Sequence, residues 1–405
     1  MSKVTIPKKL TIWSNDHEAI IWIMVMLLIA GSVNIFSSTF IKAEDQGSPP
    51  YFFLMKHLIT MGVGGVLFLL CYWVDYHRWR DVLVPITLVI MVMLVYVLGF
   101  GTAVNGSKRW IYIGSFSIQP AEFAKICSVM IEAYYLSFCL QKGQAVKLLQ
   151  EQHILLLILA GLVEMEPDMG TMLIILGVPL LMLLLAGLDF SKMKYLLLAC
   201  GVVVAILCAY QPYRLQRIEV MLDPWADAQG MGYQTVQSIT AIGSGGFWGM
   251  GLGEGLAKYA YLPEAHTDFA FAVFCQENGF VLAGLLILLY GLLGLFGGRI
   301  AQKAADAYGQ VLAGGLVILI CLQAVINMFM VAGFLPVIGV PLPFISYGGC
   351  SLLVSMAALG ILVNINRYSL IQKRKMQRLT ERNLASQQKP IKVIPGQRPK
   401  LTRIK

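Results

Sequence analysis

Residues 211–280 interrupt an otherwise apolar chain and read QPYRLQRIEVMLDPWADAQGMGYQTVQSITAIGSGGFWGMGLGEGLAKYAYLPEAHTDFAFAVFCQENGF. Seven glycines lie between positions 243 and 255, and Asp268 stands where the next apolar run begins. Since the rest of the chain avoids charge, such a density of polar groups predicts a functional segment. We interpret it as a loop that covers a reactive site, with Asp268 as the reactive group.

The composition outside this segment is that of a membrane protein. Of the 405 residues, 58% are hydrophobic and 13% are charged, against about 25% charged residues in soluble domains. The mean hydropathy is +0.72. Apolar runs of about 20 residues recur, which is the length a helix needs to cross a hydrocarbon core about 30 Å thick. The sequence therefore predicts an all-α polytopic membrane protein.

Ten transmembrane helices are predicted, with a long extracytoplasmic loop at 211–266 between helices 7 and 8. The spans cover residues 17–40, 53–73, 82–101, 118–140, 152–165, 169–187, 193–210, 267–296, 307–332 and 343–366. Residues 1–366 are expected to form a single transmembrane domain. Residues 367–405 are polar and basic, and they are predicted to be a disordered cytoplasmic tail.

Lysine and arginine determine the orientation. With both termini in the cytoplasm, the inner segments hold 23 of the 31 Lys and Arg residues, twelve of them after position 366. The positive-inside rule then places the long loop, 106–119, 164–168 and 333–343 outside the cell. A basic tail beside a membrane span is a topology signal, so the net charge of +9 does not indicate nucleic-acid binding. The eight cysteines lie in apolar runs without a CxxC pair, which is typical of core residues.

Asp268 allows two interpretations. It follows Thr267, a suitable N-cap, so it is expected in the first turn of a helix, where an acidic residue contributes about 0.3–1 kcal/mol through the helix dipole. The alternative is a general base held at the membrane surface. The dipole lowers the pKa of a carboxyl there, whereas an apolar cavity raises it. A base that works near neutral pH needs the second effect to offset the first.

Glu122 and Lys125 stand three residues apart on one face of the fourth span. On a soluble helix such a pair is most often a simple ion pair. Inside a membrane span an ionisable group is costly, and it is a functional candidate by default. The pair is therefore predicted to line a polar cavity, with mutual neutralisation as the alternative.

Several cations lie on the less positive side of the membrane, against the topological trend. They are Arg109, Arg214, Arg217 and Lys258. They are either ordinary loop charges or ligands of a phosphate or diphosphate, for which the planar guanidinium is well suited. The glycine cluster matches neither the dinucleotide-binding nor the P-loop motif, so nucleotide binding is unsupported. His266 has no spaced partner, so zinc is not expected.

Five outer segments carry a resemblance to a known family. They are RWIYIGSFSIQPAEFAK (109–125), EPDMGT (166–171), YRLQRIEVMLDPWADAQGMGYQTVQSITAIGSGGFWGMGLG (213–253), YLPEAHTDF (261–269) and LPFISYGGCSL (342–352). Together they resemble the SEDS family (shape, elongation, division, sporulation), which includes FtsW, RodA and SpoVE. The likeness spans about residues 20–366, and the DPWAD stretch is more similar to FtsW or SpoVE than to RodA.

The resemblance implies a peptidoglycan glycosyltransferase in the bacterial cytoplasmic membrane that polymerises lipid II on the outer face and releases undecaprenyl diphosphate. It also implies a class B penicillin-binding transpeptidase as partner, in a cell-division or elongation complex. The essential aspartate of the family falls on Asp268, and its glutamate and lysine fall on Glu122 and Lys125. Further candidates for substrate binding are Lys108, Arg109, Asp168, Arg214, Arg217, Lys258, His266 and Ser346.

No cofactor is certain. A divalent cation, Mg²⁺ or Mn²⁺, would be able to bridge the diphosphate and a carboxylate, although no preformed cluster of metal ligands is evident in the sequence. Three positions depart from the family pattern. Ile338 stands where Thr or Lys is usual, Cys350 replaces the Ser after SYGG, and Gln276 replaces the first acid of a Glu-Glu pair.

Two other functions fit a polytopic protein of this kind. A lipid II flippase would need polar groups that reach both sides of the membrane, often with inverted repeats, whereas the polar groups here gather outside. A scaffold that only recruits division proteins would not need Asp268, Glu122 and Lys125. Substitutions that neutralise all three charges would then be silent.

Overall fold

The computed structural model describes residues 15–104, 107–114, 116–147, 150–188, 194–195, 198, 201–202, 212–259 and 262–387. The helices of the first half are α1 (Asp16–Asp45), α2 (Phe52–Trp73), α3 (Tyr76–Asp81), α4 (Leu83–Phe100), α5 (Pro120–Lys142), α6 (Glu151–Met165) and α7 (Met169–Leu185). The helices of the second half are α8 (Pro212–Leu222), α9 (Tyr233–Ser244), α10 (Ala270–Gln302), α11 (Ala307–Val331) and α12 (Gly349–Gln387). Three strands, β1 (Thr102–Val104), β2 (Ser107–Ile113) and β3 (Phe116–Ile118), lie between α4 and α5.

The prediction of a helical polytopic membrane protein is confirmed. Within the described residues, seven helices are long and apolar enough to cross a membrane, namely α1, α2, α4, α5, α10, α11 and α12. α7 is a shorter apolar helix. The predicted span at 193–210 lies almost entirely outside the described residues, so the count of ten spans stays a prediction.

α5 is the central helix of the bundle. It packs against α4, α6, α7, α11 and α12, while α12 also packs along α2, and α10 packs between α1 and α11. Its apolar residues join the main hydrophobic core of the protein. Because α5 is surrounded by other helices, its charged side chains Glu122, Lys125 and Glu132 are buried within the protein.

The two ends of the bundle differ in their contacts. At one end, the start of α1 meets the last span, since Asn366 Nδ2 lies 3.0 Å from His17 Nδ1. Lys303, after α10, pairs with Asp16 at the same end, with Nζ and Oδ2 2.5 Å apart. The other end gathers the strands, the turn between α6 and α7, residues 212–259 and 262–269, and the segment 333–348. All of the predicted outer segments therefore meet at one end.

The segment 106–119, expected to be an outer loop, contributes two strands of a small antiparallel sheet of order β1-β2-β3. Trp110 of β2 pairs with Thr102 of β1, and Ile111 of β2 pairs with Ile118 of β3. The run SKRWIYI is rich in β-branched and aromatic residues, which is the signal that would have predicted a strand.

Two other expectations need correction. α12 begins at Gly349 rather than at 343, because Phe344 has a φ of 69°, which a right-handed helix does not allow, and it extends through Gln387. The basic segment 367–387 is therefore helical and not disordered, while 388–405 lies outside the described residues. The long loop at 211–266 also contains regular structure, namely α8, α9 and a 3₁₀ turn at Leu256–Lys258.

Candidate active site

Asp268 lies on the turn that leads into α10, two residues before the helix begins at Ala270. The amides of Thr267 and Phe269 donate to the carbonyl oxygen of Glu264 at 3.1 and 3.2 Å, which fixes this turn. Thr267 was expected to cap the helix, but its hydroxyl donates to Glu264 Oε2 at 2.7 Å, and the N-cap position is Phe269. Asp268 therefore lies before the first helical turn. The expectation that it lies within this turn is wrong.

Asn327 of α11 fastens this turn to the proline-rich segment 333–348. Its Nδ2 donates to the carbonyl oxygens of Asp268 and Val340, at 2.7 Å in each case. Gly339 lies so close that a Cβ built on it would be 3.4 Å from Asp268 Oδ2. The segment 333–348 therefore forms one wall beside the Asp268 carboxylate.

The environment of Asp268 favours its protonated form. Burial, together with the negative charges of Glu264 and Asp168, raises the pKa of this carboxyl from 3.8 to about 7. Arg109 and Arg217 act in the opposite direction, so their positive charges also lie within electrostatic reach. A carboxyl with a pKa near 7 is suited to accept a proton at neutral pH.

Arg109 and Asp168 lie at the same end of the bundle as Asp268 and connect the segments that meet there. Arg109 of β2 donates through Nε to the carbonyl oxygen of Glu166 at 3.0 Å and through Nη2 to that of Pro167. Asp168 accepts from the amide and hydroxyl of Thr171 at 3.1 and 3.0 Å, which caps α7. It also accepts from Gln119 Nε2 at 3.2 Å. These bonds join β2, the start of α5 and the turn between α6 and α7.

A cavity of about 360 Å³ lies between α8, α9 and the turn before α10. Its lining includes Arg217, Met231, Tyr233, Gln234, Pro263 and Val337. Arg217 Nη1 donates to the carbonyl oxygen of Val337, two residues before Gly339 in the wall beside Asp268. The cavity combines apolar walls with an amide, a phenol and a guanidinium, which is typical of sites for small polar ligands.

Glu122 and Lys125 form a buried pair on α5, with Lys125 Nζ 2.8 Å from Glu122 Oε1. The exposed fractions of the two residues are 3% and 1%. Lys125 also donates to Gln323 Oε1 at 3.0 Å, and Gln323 Nε2 donates to the carbonyl oxygen of Pro341 at 2.9 Å. Gln323 and Asn327 are one turn apart on α11, so this helix links the Lys125 pair to the wall and to the backbone of Asp268.

The remaining predicted binding residues already have partners within the protein. Arg214 pairs with Glu164 at 2.5 Å, and Lys258 pairs with Glu277 at 2.7 Å. His266 Nε2 lies 3.0 Å from Lys42 Nζ. Ser346 Oγ accepts from the amide of Leu342 at 2.9 Å, and the exposed Lys108 donates to the carbonyl oxygen of Gly99 at 3.3 Å. Of the six cations predicted to bind substrate, Arg109 and Arg217 lower the pKa of Asp268 through their positive charge. Lys258 and Arg214 instead form ion pairs with buried or partly buried glutamates.

Comparisons with known proteins agree with this architecture. Residues 18–370 match the model of the FtsW, RodA and SpoVE proteins, described as cell cycle protein. A probable peptidoglycan glycosyltransferase FtsW from Trichlorobacter lovleyi is 39% identical over 87% of this chain and 93% of its own length. Stage V sporulation protein E from Bacillus subtilis is 37% identical over 86% of this chain and 96% of its own length.

Solved structures show the same fold. A chain from a peptidoglycan synthase complex, described as coordinating polymerisation and crosslinking, superposes with a TM-score of 0.72 at 25% identity, covering 86% of this chain and 97% of its own. The rod shape determining protein RodA of Thermus thermophilus superposes with a TM-score of 0.62 at 24% identity, covering 86% and 95%. The chain belongs to the FtsW/RodA/SpoVE family.

The three departures from the family pattern are accommodated by local contacts. The carbonyl oxygen of Ile338 lies against the first turn of α7, where a Cβ on Gly170 would be 2.4 Å from it, so only glycine permits this approach. Cys350 Sγ accepts from the amide of Gln119 at 3.2 Å. Gln276 bridges the amide of Ala257 and the hydroxyl of Ser244, at 3.0 and 2.9 Å. In this FtsW/RodA/SpoVE protein, Gln276 and Cys350 therefore hold outer segments together.

Three polar residues close to the site, Gln323, Asn327 and Glu166, are not among the candidates identified from the sequence. Gln323 and Asn327 are polar side chains four residues apart in an apolar span, a signal that could have identified them. Glu166 is buried, and neither of its carboxylate oxygens has a hydrogen-bond partner. Burial and the charge of Asp168 raise the pKa of Glu166 to about 8. Glu166 begins the EPDMGT motif, but nothing in the sequence separates it from its acidic neighbours Glu164 and Asp168.

Replacing Asn327 with Leu should destabilise this family member by about 1–3 kcal/mol, the usual cost of leaving buried polar groups unsatisfied. The variant removes the shared donor of the Asp268 and Val340 carbonyls. Part of the loss is offset because it also removes Asn327 Oδ1, which has no partner. Thermal unfolding in detergent measures the change. Gln310→Leu, at an exposed position of α11, is the matched control and should leave the melting temperature unchanged. Equal melting temperatures for both variants would contradict the prediction.

Proposed function

We propose that this protein is a peptidoglycan glycosyltransferase that polymerises lipid II into glycan strands on the outer face of the bacterial cytoplasmic membrane. Family membership and the names of its relatives support the reaction class. The observation that carries the proposal is Asp268, a carboxyl with a pKa of about 7 at the end of the bundle where the outer segments meet. Arg109 and Arg217 supply positive charge beside it.

The proposed reaction is a single displacement. The 4-hydroxyl of the acceptor lipid II attacks C1 of the lipid-linked end of the growing glycan, and Asp268 accepts the hydroxyl proton. The new bond joins O4 to C1, and the bond from C1 to the diphosphate oxygen breaks. Undecaprenyl diphosphate leaves with the bonding electron pair. One displacement at C1 inverts its configuration.

The leaving diphosphate needs cations near Asp268, and Arg109 and Arg217 are the first candidates. Both already lower the pKa of Asp268, and arginine offers several donors to phosphate oxygens. Lys125 is held by Glu122, so it would reach the diphosphate only after exchanging that bond. The cavity beside Arg217 is of suitable size for a sugar ring, with Tyr233 and Gln234 available to contact the ring and its hydroxyls.

A divalent cation remains part of the proposal as an aid to diphosphate departure. Within the residues that the structure describes, no three His, Cys, Asp or Glu side chains gather into a metal site. Mg²⁺ commonly binds through one or two carboxylates together with substrate phosphates. Asp168 is the carboxylate at the same end of the bundle as Asp268 that would contribute to such a mixed set. The cation would stabilise negative charge on the diphosphate.

The orientation and partner follow from the same proposal. The lysines and arginines favour cytoplasmic termini, which places the end that holds Asp268 outside. A class B penicillin-binding protein in a division or elongation complex would crosslink the strands made here. The likeness to a chain of a peptidoglycan synthase complex supports a partner of this kind.

The test is polymerisation of purified lipid II by the purified chain, with and without a class B partner, followed as a ladder of glycan products on a gel. Because Asp268 must be deprotonated to accept a proton, we expect the initial rate to fall as pH drops below about 7, approaching tenfold per pH unit. Enzyme returned from about pH 5.5 to pH 8 should recover its rate, which excludes irreversible acid denaturation. Absence of product under all conditions would refute the reaction, and a flat profile from about pH 5 to 8 would refute Asp268 as the base.

A further inference from the structure

The uncharged segment that follows α9 packs onto a kink in α10. Residues 246–252, called here the aromatic strap, read GFWGMGL, and no Asp, Glu, Lys or Arg occurs from 228 to 253. α10 breaks at Gly279, which has φ 70° and ψ −175°. A Cβ on Gly279 would be 2.2 Å from the amide nitrogen of Gly249, so glycine is required for this contact.

At the kink, the strap takes over the helical hydrogen bonds of α10. In a continuous helix the amides of Phe280 and Val281 would donate to the carbonyls of Gln276 and Glu277. Here those two amides donate instead to the strap carbonyls of residues 246 and 247, at 2.9 and 3.3 Å. The carbonyls of Gln276 and Glu277 accept from the strap amides of residues 250 and 251, at 3.0 Å in each case. Four polar groups of α10 and four of the strap are satisfied by this exchange.

The side chains of the strap are nevertheless uncovered. The exposed fraction is 57% for Phe247, 79% for Trp248 and 60% for Leu252. Phe280 of α10, itself 68% exposed, stacks on Phe247 with ring centroids 5.9 Å apart. The exposed apolar surface continues from Phe280 along α10 through Leu285 and Leu288. The strap therefore extends the lipid-facing side of a membrane span.

The position of the kink along α10 fixes its depth. Arg299, near the other end of the helix, is 19 residues from Phe280, a separation of about 29 Å at 1.5 Å per residue, close to the thickness of the hydrocarbon core. Charged arginine is favoured at the boundary between lipid and water, so Arg299 marks one boundary. Phe280 and the strap then lie near the opposite boundary. Tryptophan and other aromatic side chains are enriched at this depth.

We propose that the aromatic strap is a membrane anchor, with Phe247, Trp248 and Leu252 inserted among the lipid acyl chains at the boundary with the headgroups. Irregular backbone is tolerated at membrane depth only where its polar groups are satisfied by protein. The exchange of hydrogen bonds with α10 supplies that condition. The anchor fixes the segment that covers the site to the lipid surface, independently of the reaction catalysed.

The test uses protein labelled with 5-fluorotryptophan in lipid nanodiscs and observed by ¹⁹F NMR. Trp248→Phe identifies the Trp248 resonance by its loss. Trp225, 60% exposed and flanked by Asp223 and Asp227, is the matched control and is identified with Trp225→Phe. Both substitutions are at exposed positions and preserve an aromatic ring.

We expect nitroxide attached to lipid acyl chains to broaden the Trp248 resonance strongly and to leave Trp225 sharp. A water-soluble gadolinium chelate should give the opposite pattern. If the soluble chelate broadens both resonances equally, the strap lies in water and the proposal is wrong. If Trp248 is protected from both agents, protein covers the strap and the proposal is also wrong.

Discussion

Replacing Asp268 with Asn should reduce lipid II polymerisation by the purified chain by about 10²–10⁴-fold, the range that a general base typically contributes. Asn has nearly the same size as Asp but cannot accept the proton of the acceptor hydroxyl. The backbone carbonyl of Asp268, which receives a hydrogen bond from Asn327, is unaffected. The turn before α10 should therefore keep its shape, and the loss would report on the carboxylate itself. The product ladder on a gel, sampled at early times, gives the rate.

The matched control is Glu254→Gln, which neutralises an exposed carboxylate of the same outer segment. Its rate should equal that of the parent, because Glu254 has no place in the proposed reaction. An Asp268→Asn variant that polymerised at the parental rate would remove Asp268 from the mechanism. Loss of activity in both variants would instead indicate a general effect of charge at the outer end.

The Asp268→Asn variant should also change how the melting temperature depends on pH, in a direction set by the pKa of Asp268. Burial raises the pKa of Asp268 from 3.8 to about 7, so the folded chain binds this proton more tightly than the unfolded chain. The ionised carboxylate therefore opposes folding, and this cost grows as pH rises from about 4 to 7 and then stays constant. Asn carries no such cost. The melting temperature of Asp268→Asn relative to the parent should increase across that pH window, and a constant difference would contradict the assigned environment.

Hydropathy was sufficient to predict the seven long spans of the described residues because lipid imposes a simple rule on sequence. A helix that faces acyl chains must be apolar over about 20 residues, and α1, α2, α4 and α10–α12 follow this rule. The small sheet and the helices α8 and α9 were missed because they lie at the end of the bundle, where side chains meet both protein and water. There the apolar pattern is short and mixed. The helical extension of α12 to Gln387 was missed because a basic composition was interpreted as disorder.

The site was harder to predict than the fold because its geometry depends on long-range contacts. The resemblance identified Asp268, Glu122 and Lys125 by motif, but it did not show that α11 connects them through Gln323 and Asn327. Charge alone did not separate the cations near Asp268 from those that have buried partners. Arg217 and Lys258 look equivalent in sequence. Arg217 lowers the pKa of Asp268, whereas Lys258 is buried in an ion pair with Glu277.

Replacing Lys258 with Met should destabilise the protein by about 3–5 kcal/mol, the usual cost of removing one partner of a buried ion pair. The Lys258 and Glu277 side chains are both 0% exposed, with Nζ and Oε1 2.7 Å apart. Ser37 of α1 donates to both oxygens of Glu277, at 2.7 and 2.6 Å. Without Lys258, the Glu277 carboxylate would retain that hydroxyl but lose its countercharge. Thermal unfolding in detergent measures the effect.

The double variant Lys258→Met, Glu277→Gln tests whether Lys258 is a structural ion-pair partner of Glu277 or a residue that binds substrate. If Lys258 serves to balance Glu277, neutralising the carboxylate as well should recover most of the lost stability, since no uncompensated charge remains. If Lys258 instead bound the diphosphate, the single variant would lower the polymerisation rate with little change in melting temperature, and the second substitution would not restore it. The 3₁₀ turn that carries Lys258 (Leu256–Lys258) is separated from the aromatic strap by three residues. The pair therefore holds the strap against the kinked helix from the buried side, while the exposed aromatic rings lie on the other side.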